Sequence, residues 1–292
     1  MELVEFIKQK RPSISDSSLK TYNSILSNLH KKVFGKDTHI DIENFNKTKE
    51  ILNFLSEKEP SKRKTILSAL VVITDSKDYR DLMLNDIDAY NKKEAKQEKS
   101  EKQQENWIED DEIKKIYKTY EANATLLYKK KDLSINDLQD IQDYIILSLL
   151  GGMYIPPRRS KDYVDFTIKN IDKDKDNYKI RRRLVFNSYK TAKTYGKQEV
   201  IIPVRLNNIL NKWIKVNPTN YLLFDAKMEK LSNVKLNQRL NKIFGKKAGV
   251  NQLRHTYLTH KYSKLINDKA ELDKDMKGMG SSLLQEKIYI KK

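Results

Sequence analysis

The sequence contains no cysteine. A disulfide framework, a thiol nucleophile and thiolate zinc sites are therefore excluded. Only eight glycines occur in 292 residues, and none forms the glycine-rich loop that phosphate-cradling or dinucleotide-binding folds need. Long apolar runs are also absent. The best of them, Tyr144 to Leu150, falls far short of the roughly 20 residues that cross a bilayer. The residues after Met1 show no apolar stretch of signal-peptide length, so neither a membrane location nor secretion is expected.

What the chain has in excess is positive charge. Lys and Arg number 58 against 40 Asp and Glu, a formal net charge of +18. Such an excess favours polyanionic partners through phosphate contacts and counterion release. With a pI near 9.6, nucleic acid is the expected partner. The length exceeds one typical domain and suits two.

Apolar spacing divides the chain. Residues 1–90 read as a helical domain. Leu19, Tyr22, Ile25, Leu26 and Leu29 form one amphipathic run after Ser17-Ser18, and Ile51, Leu52, Phe54 and Leu55 form a second. Pro60 opens a third, with Ile66, Leu67, Leu70, Val71 and Ile73. Lys62, Arg63 and Lys64 stand at its start, where the helix dipole does not favour cations. A DNA backbone or a solvated helix face would each account for them. Residues 91–105 hold nothing to bury and read as a charged linker, flexible or helical. Residues 106–292 read as a second domain. Asp110 or Asp111 is expected to cap its first helix, and Ile135 to Leu150 forms an apolar helix that stops at Gly151-Gly152. Tyr163 to Ile168 and Tyr178 to Tyr189 alternate as strands do, and a turn over Thr191 to Lys197 leads to a returning strand at Val200 to Ile202. Helical spacing resumes at Leu206 to Ile214, Val234 to Phe244 and Leu253 to Tyr262. The fold class is mainly α with a small antiparallel β-sheet. Trp107 and Trp213 are expected in the core.

Four features occur in order. Pro156-Pro157-Arg158-Arg159-Ser160-Lys161-Asp162 follows an apolar helix, and Tyr189-Lys190-Thr191 sits at a hairpin tip. Asn251-Gln252-Leu253-Arg254-His255-Thr256-Tyr257 opens a helix, and Met279-Gly280-Ser281 is followed by Tyr289. In this order they resemble the tyrosine recombinase family, in particular integrase-like members of large DNA viruses and mobile elements. The resemblance spans the second domain and extends more loosely to the first, which resembles the family's core-binding domain.

The resemblance implies a catalytic role for Arg159, since Asp162 follows it at the family's spacing, with Arg158 as the alternative. It likewise implies Arg254 as the second arginine, Lys190 as the hairpin lysine with Lys193 as the alternative, and Tyr289 as nucleophile. Asn251 and Ser281 stand where the family usually has histidine, or histidine or tryptophan, and keep only hydrogen-bonding capacity. Loss of one good transition-state donor costs on the order of a hundredfold in rate. Cleavage is thus expected to be impaired, and a degenerate relative that only binds DNA is the alternative. Asn251 is equally a plausible helix N-cap. Arg181 and Arg183, on an expected strand, read as DNA-facing or solvated.

The chemistry suits these residue types. Guanidinium forks bind phosphate oxygens bidentately and stay charged. A lysine can protonate a departing 5′ oxygen. No metal or cofactor is implied. The implied partner is double-stranded DNA, held by a two-domain clamp in a homo-tetramer on paired sites, wherever the target DNA lies in the host cytoplasm or nucleus. Only three residues follow Tyr289, so exchange of C-terminal elements between copies is expected to be short or missing.

Overall fold

The computed structural model describes residues 2–35 and 39–279. It separates into two compact units, Met1–Lys99 and Ser100–Lys292.

The first unit is helical. α1 (Leu3–Lys10), α2 (Asp16–Val33), α3 (Thr48–Ser56), α4 (Pro60–Thr74) and α5 (Lys77–Glu94) follow in order, with a short 3-10 turn at Ile42–Asn46. Local chemistry sets several ends. The Ser15 hydroxyl accepts the Ser18 amide at the start of α2, and Pro60 opens α4, where its missing N–H costs nothing. Leu26, Phe45, Ile51, Leu55, Leu67, Leu70 and Tyr79 are buried together. Tyr79 donates its hydroxyl to the Phe45 carbonyl at 2.9 Å. His30 is fully buried among them.

The second unit opens with the short α6 (Glu101–Glu105), then α7 (Asp110–Leu127) and α8 (Ile135–Leu150). A capping box between Ser134 and Asp137 starts α8. Every residue from Ile141 to Leu150 is buried, so the second half of α8 is enclosed on all sides, with polar Gln142, Asp143 and Ser148 among the enclosed residues. Its Gln142 side chain pairs with both backbone groups of Phe224, at 2.9 and 2.8 Å. α9 (Ser160–Val164) precedes an antiparallel sheet of β1 (Tyr178–Ile180), β2 (Arg183–Phe186) and β3 (Gln198–Ile201), in the order β1-β2-β3. α10 (Ala192–Tyr195) lies between β2 and β3, and α11 (Val204–Val216), α12 (Asn233–Phe244) and α13 (Val250–Gly278) complete the unit. Trp213 is fully buried and stacks on Phe224.

The fold is mainly α with one small antiparallel sheet. Four local expectations are corrected. Tyr163 to Ile168 is not a strand: the chain forms α9, and Phe166 and Thr167 make only isolated bridges. Tyr163, Val164 and Phe166 are all buried, so the apparent alternation marked no solvent-facing side. Tyr178 to Tyr189 is two strands rather than one, because Ile180 pairs with Arg183 around a two-residue turn. Neither Asp110 nor Asp111 caps α7: Glu109 takes the N-cap position without a side-chain bond, and both aspartates sit in the first turn beside Lys114. Trp107 is half-buried rather than in the core.

Candidate active site

Three segments converge around Asp162. The first is the turn between α8 and α9. Gly152 adopts φ +82°, and a Cβ there would lie 2.7 Å from the Tyr257 ring. The turn can therefore lie directly against α13. Asp162 itself is 3% exposed. Its Oδ2 accepts Arg158 Nε at 2.8 Å, while its Oδ1 is buried with no hydrogen-bond partner among the described residues. Burial raises the Asp162 carboxyl above its ordinary pKa, and Arg158, Arg159 and Arg254 oppose that rise in this order.

Those three arginines differ in use. Arg158 is committed to the fold: it bonds Asp162, donates to Gln198 Oε1 at 2.9 Å and lies 4.0 Å over the Phe186 ring. Arg159, half-buried at the N-cap of α9, makes no side-chain hydrogen bond or ion pair among the described residues. Arg254 is half-buried near the start of α13 and, among the described residues, its side chain hydrogen-bonds only Asn251 Oδ1, at 3.5 Å. The spacing of Arg159 to Asp162 thus falls on the arginine whose guanidinium is unspent.

The hairpin is the second segment. Fully buried Asn177 ties its open end to α9. Its Nδ2 donates to the carbonyls of Asp162 (3.0 Å) and Ser188 (2.7 Å). Its Oδ1 accepts the amides of Asn187 (2.9 Å) and Ser188 (2.8 Å). Tyr189, held by its hydroxyl to the Gly196 carbonyl at 2.7 Å, brings its ring within 5.3 Å of the Arg158 guanidinium. Lys190 follows it, exposed and with no ion pair among the described residues, and Lys193 is exposed on α10.

α13 is the third. Asn237 Oδ1 accepts the Val250 amide at 3.1 Å, so the helix starts one residue before Asn251. Asn251 is therefore exposed within the first turn and is not the N-cap. Thr256 anchors the same helix by donating to the Ile108 carbonyl at 2.8 Å. Ser281 and Tyr289 lie outside the described residues.

The remaining basic residues divide likewise. Arg63 forms a bidentate pair with buried Asp86, at 2.7 and 2.6 Å, so its guanidinium is occupied within the first unit. Lys64 lies 3.1 Å from the centroid of Tyr90, and Lys62 is exposed. Arg181 and Arg182 form the β1–β2 turn rather than strand positions, Arg181 with φ +50°. Arg183 faces Glu199 at 3.1 Å. Among the described residues no group of three His, Asp or Glu is placed to hold a metal.

The arrangement presents two guanidinium groups from separate elements beside one buried carboxylate, with a free lysine on the adjoining hairpin. A phosphodiester placed there would receive the cations that a pentacoordinate phosphorus needs. Sequence reading missed Asn177 and Gly152. A lone Asn before a strand gives no signal, and Gly152 was legible only as a helix stop.

No protein-family model and no curated protein matches the chain. Among solved structures, the chain is similar to XerA recombinase, at 16% identity and TM-score 0.36, over 88% of this chain and 81% of that one. It is also similar to a lambda integrase dimer bound to a COC′ core site, at 15% identity and TM-score 0.47, over 92% and 72%. A third is XerH site-specific recombinase bound to difH, at 14% identity and TM-score 0.39, over 89% and 84%.

Proposed function

We propose that this chain cleaves and rejoins duplex DNA through a tyrosine nucleophile, Tyr289, with a 3′-phosphotyrosine intermediate. One observation carries the reading: Arg159 at the N-cap of α9 and Arg254 near the start of α13 both lie close enough to buried Asp162 to oppose its pKa rise, and Arg159 makes no side-chain hydrogen bond or ion pair among the described residues. In this reading the Tyr289 oxygen attacks phosphorus, and the bond from phosphorus to the 5′ oxygen breaks. Arg159 and Arg254 stabilise the equatorial oxygens. Lys190 gives the leaving 5′ oxygen its proton. A 5′-hydroxyl of a second strand then displaces the tyrosine. Asp162 holds the arginine turn in place and keeps Arg158 out of the phosphate site. Tyr289 has an unperturbed phenol pKa of about 10 and must lose its proton to a partner or to the positive field of the site.

Lys62, Lys193 and Arg181 serve as exposed phosphate contacts. The net charge of +18 supplies the long-range attraction. The domains take the boundaries 1–90, 91–105 and 106–292, the working form is a homo-tetramer on paired sites, and the location follows the target DNA of a virus or mobile element.

A second reading, DNA binding without cleavage, is favoured by Asn251. It is exposed, it offers its oxygen to Arg254 at 3.5 Å, and it has no group that takes up a proton at neutral pH.

The test is trapping on a nicked suicide substrate drawn from the ends of the encoding element, with Tyr289→Phe alongside. A covalent adduct absent in the variant is the expected result. Binding without an adduct calls for Asn251→His with Ser281→His. Rescue then establishes the second reading, and failure to rescue refutes the role of Tyr289.

A further inference from the structure

Away from these arginines, the second unit has a cleft of about 520 Å³ between α7 and α11. Glu121, Thr125 and Tyr128 form its α7 side, spaced so as to share one helix face, and Arg205, Ile209 and Lys212 do the same from α11. The volume lies within the roughly 300–1,000 Å³ of small-molecule sites. Its floor is apolar, built from the rings of Tyr128 and Tyr144 and from buried Ile209.

The polar groups of the cleft are unevenly spent. Glu121 Oε1 already accepts the Tyr144 hydroxyl at 3.2 Å and Arg205 at 2.8 Å, so its charge is answered. Lys212 is exposed and has no hydrogen bond or ion pair among the described residues. The Tyr128 hydroxyl is buried with no hydrogen-bond partner among them. The cleft therefore offers a cation beside aromatic side chains, with its carboxylate paired to Arg205. We propose that it binds a small organic anion with a flat apolar body, of the aryl carboxylate or aryl sulfonate kind. The rings would pack against Tyr128 and Tyr144, and the anionic head would meet Lys212 and the outer edge of Arg205.

The probe is 8-anilinonaphthalene-1-sulfonate, titrated by fluorescence against the full chain, with neutral N-phenyl-1-naphthylamine as its uncharged counterpart. Saturable binding at one site is expected, with the neutral compound held about tenfold more weakly. Thr125→Trp and Asn208→Trp fill the cleft from exposed positions and should abolish that binding with unchanged circular dichroism. Lys212→Glu should weaken it by about threefold or more at low salt, the scale of an exposed charge pair. Lys173→Ala, at an exposed position outside the lining, should change nothing. Binding that survives both cleft-filling variants, or equal affinity for the neutral compound, overturns the proposal. So does the absence of saturable binding.

Discussion

Replacing Asn177 by leucine should destabilise the second unit by about 3–5 kcal/mol. Its amide makes four hydrogen bonds at 2.7–3.0 Å, two donated and two accepted, and its side chain is wholly buried. Each such bond has a net worth of about 1 kcal/mol, and a buried backbone partner left unpaired costs about 1–3 kcal/mol. The four partners are main-chain groups of Asp162, Asn187 and Ser188, held at the mouth of the hairpin. Relaxation toward solvent would satisfy some of them, which places the total near the lower sum. Leucine matches asparagine in side-chain heavy-atom count and branching and is the bulkier of the two, so no cavity adds to the loss. Both tryptophans, Trp107 and Trp213, lie in the second unit. Tryptophan fluorescence during urea unfolding thus reports this unit alone, and the change should be a lower midpoint at an unchanged slope. Asn177→Asp keeps the acceptor for two amides but sets carboxylate oxygen against two carbonyls, so it should lose less than leucine does at low pH and more at neutral pH. A leucine variant that loses under about 1 kcal/mol would refute the claim that this amide ties α9 to the hairpin.

Three further outcomes follow from other parts of the structure. His30 is buried, its Nε2 meets Asn44 at 3.1 Å, and burial lowers its pKa, with Asp41 opposing. The first unit should therefore hold its stability above the ordinary imidazole range and lose it as pH falls, and amide exchange of His30→Phe should show that slope removed. Asp86→Ala strands the Arg63 guanidinium at a part-buried site and should cost about 3 kcal/mol or more, while Arg63→Met with Asp86→Leu should recover most of it, as thermal melting would show. Gly152→Ala should cost about 2–4 kcal/mol by tryptophan-monitored unfolding, from the left-handed backbone and the 2.7 Å approach to Tyr257.

The helices were legible where a chemical signal marked their ends: Pro60 for α4, and the apolar run from Ile135 to Leu150 for α8. Signals failed where long-range contacts decide. The β1–β2 turn is made by Arg181 and Arg182, without the glycine or asparagine that usually marks such a turn, so one strand was read where two exist. Arg63 looked like a cation out of place on a helix start because its partner, Asp86, sits on the following helix, α5, 23 residues on. Asn251 looked like a cap, while the acceptor for the first amide of α13 is Asn237 on another helix. The cluster of Arg158, Arg159 and Asp162 stood out by its spacing; that Asp162 bonds Arg158 was not legible.

α13 is also a ruler. It runs unbroken from Val250 to Gly278, and at 1.5 Å per residue Gly278 stands about 36 Å along the axis from Arg254. The far turns of that helix are thus well beyond hydrogen-bond reach of Arg254, and whatever they touch, they touch away from the arginines.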